Sequence, residues 1–306
     1  MDILVVGSVA LDTVRTPFGK AEEILGGSAS YFSVAASYFT PVSILAVVGE
    51  DFPDAHIAFF RQKGIDTSGL QHSQGRTFRW KGEYGFDLNV AKTLETQLNV
   101  FAEFSPKIRQ EHRALEYLFL GNIDPDLQRD VLGQMLHRPK MVVCDTMNYW
   151  IENKRAPLER TLSLVDILII NDAETRELAR TSNIIAAARR IMSWGPKVVV
   201  VKRGEYGALM IDAKSVFGVP AFPIEDVVDP TGAGDSFAGG FLGYLAATGA
   251  SFDHDELRKA VVFGSVMASF DVSALGLERL GSLTYTEIEA RYREFRALTR
   301  FGEPLR

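Results

Sequence analysis

Cysteine is nearly absent: Cys144 is the only one in 306 residues, so no disulfide can form within the chain. It sits in the apolar run Met141 to Cys144, which points to a reducing, cytoplasmic setting. An excess of positive charge is also lacking, since 33 Lys and Arg face 39 Asp and Glu for a net −6. That balance argues against nucleic acid as the main partner. No stretch reaches the ~18 apolar residues of a membrane helix. The first apolar run, Ile3 to Val6, is too short for a signal-peptide core and carries Asp2 where a basic flank belongs. His56, His72, His112, His137 and His254 are scattered without ligand spacing, so no His or Cys metal site is expected. No Gly-Lys pair precedes Ser or Thr, which excludes a P-loop.

What remains is ordinary globular composition, 46% hydrophobic and 24% charged. Length alone suggests about two domains, although large α/β domains reach this size as one unit. Continuous apolar runs recur at Ile3 to Val6, Val42 to Val48, Tyr117 to Leu120, Met141 to Cys144, Ile167 to Ile170, Val198 to Val201 and Ala208 to Ile211. Such runs, separated by helix-like segments, predict a parallel sheet covered on both faces. Polar residues follow the strand ends: Asp12, then Asn122 and Asp124, Asp145 and Asn148, Asn171 and Glu174, and Lys202 and Gly204. In an open parallel sheet that edge is where ligands bind. Thr77 to Tyr84 alternates polar and aromatic residues with period two, the pattern of a strand with one wet face. It predicts a separate small sheet from residues 12–25 and 74–102, placed to close over the main sheet as a lid. In the last helix Thr284 and Glu287 fit a capping box, with Glu287 and Arg291, and Glu289 and Arg293, at i to i+4 spacing.

The organising stretch is Asp229-Pro230-Thr231-Gly232-Ala233-Gly234-Asp235-Ser236, between a strand-like run, Ile224 to Val228, and the helix-like run Phe237 to Ala247. A glycine-rich turn into a helix aims free N–H groups and the positive end of the helix dipole at one point, a place for an anion. A carboxylate there competes with a bound phosphate. Asp235 makes sense if it takes a proton from a hydroxyl about to attack phosphorus held over the glycines. Asp as a helix cap is the plainer alternative. A dinucleotide-binding reading fails at the third glycine, where Phe237 stands.

Asp229 to Leu242 resembles, position by position, the C-terminal signature of the ribokinase-like (PfkB) family of carbohydrate and nucleoside kinases. The resemblance extends through Gly7 to Asp12, Gly26-Gly27, Gly49-Glu50-Asp51, Gly64-Ile65-Asp66, Asn171 to Glu174 and Lys202 to Gly207. It implies one kinase domain over residues 1–306, a three-layer α/β/α fold with a mostly parallel central sheet and a small β-sheet lid. It implies an ATP-dependent phosphotransferase acting on a hydroxyl, expected to be primary, of a sugar or sugar derivative, with a nucleoside kinase as the alternative. A catalytically silent nucleotide-binding regulator is a further reading, against which Asp235 argues. In the family's terms Asp235 is the catalytic base and Gly232, Ala233 and Gly234 form the anion hole. Asp12, Gly26, Gly27 and Ser28, with Tyr31 nearby, bind substrate. Lys202, Gly204, Gly207, Ser265 and Gly276 border the nucleotide. Asn171 and Glu174 help place Mg²⁺, largely through water, and Asp229 borders a monovalent-cation loop for K⁺. An Asn three residues before a Glu at a helix start is equally a capping pattern. The resemblance also implies a homodimer through the lid.

Three positions depart from the family pattern. Tyr31 stands where an Asn usually binds a substrate hydroxyl, and Lys202 where Thr or Ser is more usual. The strand end Asp145 to Trp150 lacks the Arg that often follows its Asn. An acceptor that already carries a phosphate needs a cation, for which the lid offers Arg15, Lys20, Arg79 and Lys81. An acceptor with a base needs an aromatic platform, for which Phe78, Trp80 and Tyr84 are candidates.

Overall fold

Ile3 and Val5 belong to one hydrophobic core and Leu4 and Val6 to another, so the first strand is buried on both faces. Such a strand must lie inside a sheet between two helical layers. The computed structural model, which describes residues 2–300 and 302, shows that arrangement. The first half runs β1 (Ile3–Val6), β2 (Ala10–Thr16), β3 (Gly19–Gly26), α1 (Ser28–Ala36), β4 (Val42–Val48), α2 (Asp54–Gln62), β5 (Ile65–Asp66), β6 (Leu70–His72), β7 (Arg79–Tyr84) and β8 (Ala91–Gln97). Next come β9 (Tyr117–Leu120), α3 (Pro125–Gly133), β10 (Met141–Asp145), α4 (Asn148–Asn153), α5 (Arg155–Leu162), β11 (Ile167–Asn171), α6 (Asp172–Ala179) and α7 (Ile184–Met192). The chain finishes with β12 (Val198–Lys202), β13 (Ala208–Asp212), β14 (Val216–Val219), α8 (Ala233–Thr248), α9 (His254–Asp271), α10 (Glu278–Ser282) and α11 (Tyr285–Leu298).

The large sheet has the order β14-β13-β12-β11-β10-β9-β1-β4-β5, with β6 also paired to β4. Pairs from β12 through β5 are parallel, and β13 and β14 are added antiparallel. Helices α1, α8, α9 and α11 pack one face through Phe32, Phe241, Met267 and Phe295. Helices α3, α5, α6 and α7 cover the other through Val131, Leu158, Leu178 and Ile191. The fold is therefore the three-layer α/β architecture with a mostly parallel sheet. From β1 the chain adds β4 on one side and later returns to β9 on the other. That reversal opens a crevice at the carboxyl ends of the strands.

A second sheet, β3-β2-β7-β8, stands over that edge. Its strand β2 pairs parallel with β7, so Asp12 is opposite Trp80 and Val14 opposite Gly82 on a common face. No helix among the described residues is long and apolar enough to cross a membrane.

Two local expectations are corrected. Ile224 to Val228 forms no strand: the N–H groups of Val228 and Asp229 both donate to Val272 O, just past α9, and Pro220, Pro223 and Pro230 withhold ladder donors on either side. The glycine turn is thus entered from a loop. In α11 the capping box of Thr284 and Glu287 forms, and Glu289 pairs with Arg293 at 3.4 Å. Glu287 turns instead to Arg279, while the Arg291 guanidinium lies 3.5 Å from the centroid of Phe270.

Candidate active site

Helix α8 begins at Ala233 because Gly232 supplies the left-handed turn ahead of it, with φ +83°. No side chain caps this end. The first full helical bond runs from Ser236 N to Gly232 O at 2.8 Å; ahead of it the Ala233 N–H turns back to Pro230 O at 3.3 Å, which leaves the Gly232 and Gly234 N–H groups toward the open helix end. The preceding loop is tied down by Asp229, which is 1% exposed: its Oδ1 accepts from Thr231 N at 2.9 Å and its Oδ2 from Gly276 N at 3.0 Å.

Two side chains frame the turn. The Tyr31 ring, on α1, lies so close to Gly232 that a Cβ there would stand 2.2 Å from the ring. Lys202, at the end of β12, places Nζ 2.6 Å from where a Cβ on Gly234 would be. Its ammonium also lies 3.3 Å from Asp145 Oδ2 at the end of β10. Burial works against the Lys202 charge, but Asp145, Asp235 and Glu174 outweigh it and hold its pKa above the ordinary lysine value. Asp235 is pushed up to about 7 by burial and by the Asp145 charge, with Lys202 opposing. Glu174 reaches about 7 for the same two reasons. A carboxyl poised near neutrality at a helix N-terminus is what a general base for a hydroxyl requires.

At the base of the small sheet, Asp12 lies against Gly26 so closely that a Cβ there would meet Asp12 Oδ2 at 1.9 Å. Burial, followed by the charges of Asp229 and Asp235, pushes Asp12 up to about 7 against the lowering effect of the Gly27 N–H. Asp12 Oδ1 and the Tyr31 hydroxyl are buried and lack a hydrogen-bond partner among the described residues. Ser28 is engaged in a pair of bonds with Ser8 that fixes the entry to α1.

The other positions singled out in the sequence divide. Asn171 and Glu174 form the complete capping box of α6, so the structural alternative is realised whatever else they do. Gly204 and Gly207 both have positive φ, shaping the turn after β12. Gly276 reaches the site through Asp229, whereas the Ser265 hydroxyl is used within its own helix, donating to Val261 O. Asn122 accepts from the Trp150 indole and Asp124 caps α3, so these strand-end groups serve packing.

Several contributors escaped the sequence reading. Asp271, at the end of α9, is 1% exposed and neither carboxyl oxygen makes a well-formed hydrogen bond among the described residues; burial and the Asp229 charge push its pKa well up, with the Ser236 hydroxyl opposing. Thr231 donates to the Tyr84 hydroxyl at 3.2 Å, joining the small sheet to the glycine turn. Asn89, between β7 and β8, accepts from Glu205 N at 3.4 Å and so touches the turn after β12. Asp145 had a visible signal, its place at a strand end, and Thr231 and Tyr84 stood in segments singled out for other reasons; Asp271 and Asn89 had none.

Comparison with known proteins adds to this geometry. The pattern described as pfkB family carbohydrate kinase matches residues 2–280. The chain belongs to the PfkB family. A PfkB kinase is an ATP-dependent phosphotransferase of the sugar and nucleoside kinase group. This PfkB chain is 32% identical over 248 residues to the cytidine kinase of Thermococcus kodakarensis, covering 79% of the chain and 87% of that protein. It resembles in fold the Burkholderia thailandensis nucleoside kinase solved with inosine, with TM-score 0.77, 18% identity, and 96% and 99% of the two chains covered. A putative ribokinase II from E. coli, solved with ATP and Mg²⁺, matches with TM-score 0.77 at 20% identity over 96% and 99% of the chains.

Proposed function

We propose that this PfkB kinase transfers the γ-phosphoryl group of ATP to the primary hydroxyl of a nucleoside. The observation that carries the nucleoside reading is the 32% identity, over 79% of the chain, with a cytidine kinase. It favours the nucleoside alternative over the free-sugar acceptor that the sequence put first. Two features of the lid agree. Trp80 shares a face with Asp12, and its indole packs over Gly82, whose Cβ would meet the ring at 2.0 Å, with its N–H donating to Thr93 Oγ1 at 3.2 Å, an aromatic surface suited to a base. Phe78 instead stacks on Phe101, and Tyr84 is buried against Thr231. Of the four candidate cations, Arg15 pairs with Glu83, Lys20 with Glu22, and Arg79 with Glu23 and Asp51, while Lys81, opposite Thr13, falls on the face of the small sheet away from Asp12. This suits an acceptor without a phosphate.

In the proposed reaction Asp12, the Gly26 to Ser28 turn and Tyr31 hold the acceptor. Asp235 takes the hydroxyl proton as the acceptor oxygen bonds to phosphorus and the bond to ADP breaks. The N–H groups of Gly232, Ala233 and Gly234 stabilise the charge in flight. Lys202, Gly204 and Gly207 border the nucleotide phosphates, with Ser265 and Gly276 toward the adenine and the cation loop. Asn171 and Glu174 would help hold Mg²⁺, largely through water. A half-buried Glu174 carboxyl near the Asp145 charge suits a divalent ion, which would offset phosphate charge. The Asp271 carboxyl, buried beside the Asp229 charge with only the Ser236 hydroxyl to offset it, suits a monovalent cation such as K⁺. Pairing of two chains through the lid is part of the reading, carried by the exposure of Phe18, Phe86, Val90 and Leu94. Light scattering at micromolar concentration tests it, and a monomer there removes it.

The decisive experiment is a panel of cytidine, inosine, adenosine, ribose, fructose and a ketodeoxy sugar acid with coupled ADP detection. Highest kcat/KM on a nucleoside is the expected result. Preference for a free sugar restores the sugar reading, and no ADP release with any acceptor favours the silent regulator.

A further inference from the structure

Lys202 is in an unusual electrostatic position. The N-terminus of a helix disfavours cations, yet the Lys202 ammonium rests against Gly234 in the first turn of α8. Its side chain is only 18% exposed and pairs with the buried Asp145. The charges that keep it there are Asp145, Asp235 and Glu174, all at the site of the proposed transfer. A purely structural lysine would be better placed at a helix C-terminus or in solvent. Here the stem is threaded from the end of β12, beside Asn171 of β11, into the opening where an anion would dock.

A phosphate group entering that opening would face three carboxylates, Asp145, Glu174 and Asp235. Among the described residues Lys202 is the cation coupled to all three. We propose that Lys202 is a catalytic residue of this kinase, whose ammonium exchanges Asp145 for the non-bridging oxygens of the γ-phosphoryl group and stays on them through transfer. The inference rests on the kinase reading of the Asp235 site and deepens it. The lysine forms no covalent bond. The acceptor hydroxyl gives its proton to Asp235, the acceptor oxygen supplies the pair for the new O–P bond, and the pair of the broken bond leaves with ADP. Lys202 remains protonated throughout and donates N–H bonds to oxygens whose charge shifts as the bonds exchange. A flexible stem with a compact charge can follow a group that moves between nucleotide and acceptor. The Thr or Ser more usual at this position offers a hydroxyl and no charge. In this chain the charge at the phosphoryl site is therefore supplied by the end of β12.

The test compares wild type with Lys202→Met, measuring calorimetric binding of ADP and of the non-hydrolysable analogue AMP-PNP, each with Mg²⁺, and kcat at saturating acceptor. The expected result is a loss of about tenfold or more in AMP-PNP affinity with ADP affinity within about threefold, and a fall of about 10²-fold or more in kcat. Lys202→Arg should recover part of both. Equal effects on ADP and AMP-PNP, or turnover within about threefold of wild type, would overturn the assignment while leaving the kinase reading in place. A wild-type protein that binds neither nucleotide and releases no ADP would overturn the kinase reading itself. If Lys202→Met fails to fold, Lys202→Gln keeps a hydrogen-bond donor for Asp145 without the charge, and the same two comparisons decide.

Discussion

The Tyr31 ring rests on Gly232, and the two positions fit only because Gly232 has no side chain. A methyl would stand 2.2 Å from Tyr31 Cδ1, in a backbone conformation at φ +83° that L residues rarely adopt. Gly232→Ala should therefore cost stability twice, about 1–2 kcal/mol for the backbone and about 1–3 kcal/mol for overpacking. The melting temperature is expected to fall by several degrees and ADP release to drop with it. Unchanged thermal denaturation would show that the ring moves aside freely.

Replacing the proposed base tests the chemistry directly. Asp235→Asn keeps shape and removes the proton acceptor, so turnover should fall by about 10²-fold or more with the fold intact by circular dichroism. Turnover within about tenfold of wild type would remove Asp235 from the role.

The rate should also report its ionisation. Asp235 and Asp12 both sit near 7, and the base works only when ionised. Thus kcat/KM should rise with pH through about 7 and flatten above it. Because the carboxyls are coupled, the limb belongs to the cluster, and Asp12→Asn should change its steepness as well as its height. A profile flat from pH 5 to 8 is incompatible with these assignments.

Stability should run the opposite way over the same range. Asp12, Asp235 and Glu174 bind their protons more tightly folded than unfolded, since their values of about 7 exceed the model-peptide values of 3.8 and 4.5. Their contribution is fully present below the unfolded values and is lost as pH rises toward 7. Asp51, Asp66 and Asp212, held below the ordinary range, act oppositely and weaken the fold only in stronger acid. The ligand-free protein should accordingly melt at a higher temperature at pH 5.5 than at pH 8. Asp235→Asn should narrow that difference; equal narrowing by a surface Asp would refute the cause.

Trp80 separates base stacking from sheet packing. Trp80→Ala should raise the KM for a nucleoside by about tenfold while leaving that for ATP nearly unchanged, in line with the value of a stacked base. Equal effects on both substrates would mean that the indole merely braces Gly82.

Much of this was legible because parallel strands buried on both faces announce themselves as unbroken apolar runs, and their carboxyl ends as the polar residues that follow. The place of Asp235 and the glycines at a helix N-terminus was legible through spelling and helix-end physics. Ile224 to Val228 misled because apolar character says nothing about whether a neighbouring strand exists, and none is there. Asp271 was invisible: one Asp at the end of an eighteen-residue helix carries no local sign that the fold will seal it beside Asp229. The Asn89 contact spans 116 positions and depends on where the small sheet sits, which no short pattern encodes.

The Asp229 carboxylate fastens two backbone amides, Thr231 ahead of the glycine turn and Gly276 beyond α9. The glycine turn is thereby stitched to the C-terminal helices. Amide hydrogen exchange at these two positions should rise and fall together, so that Gly276, distant in sequence, reads out the state of the turn without a probe in the site.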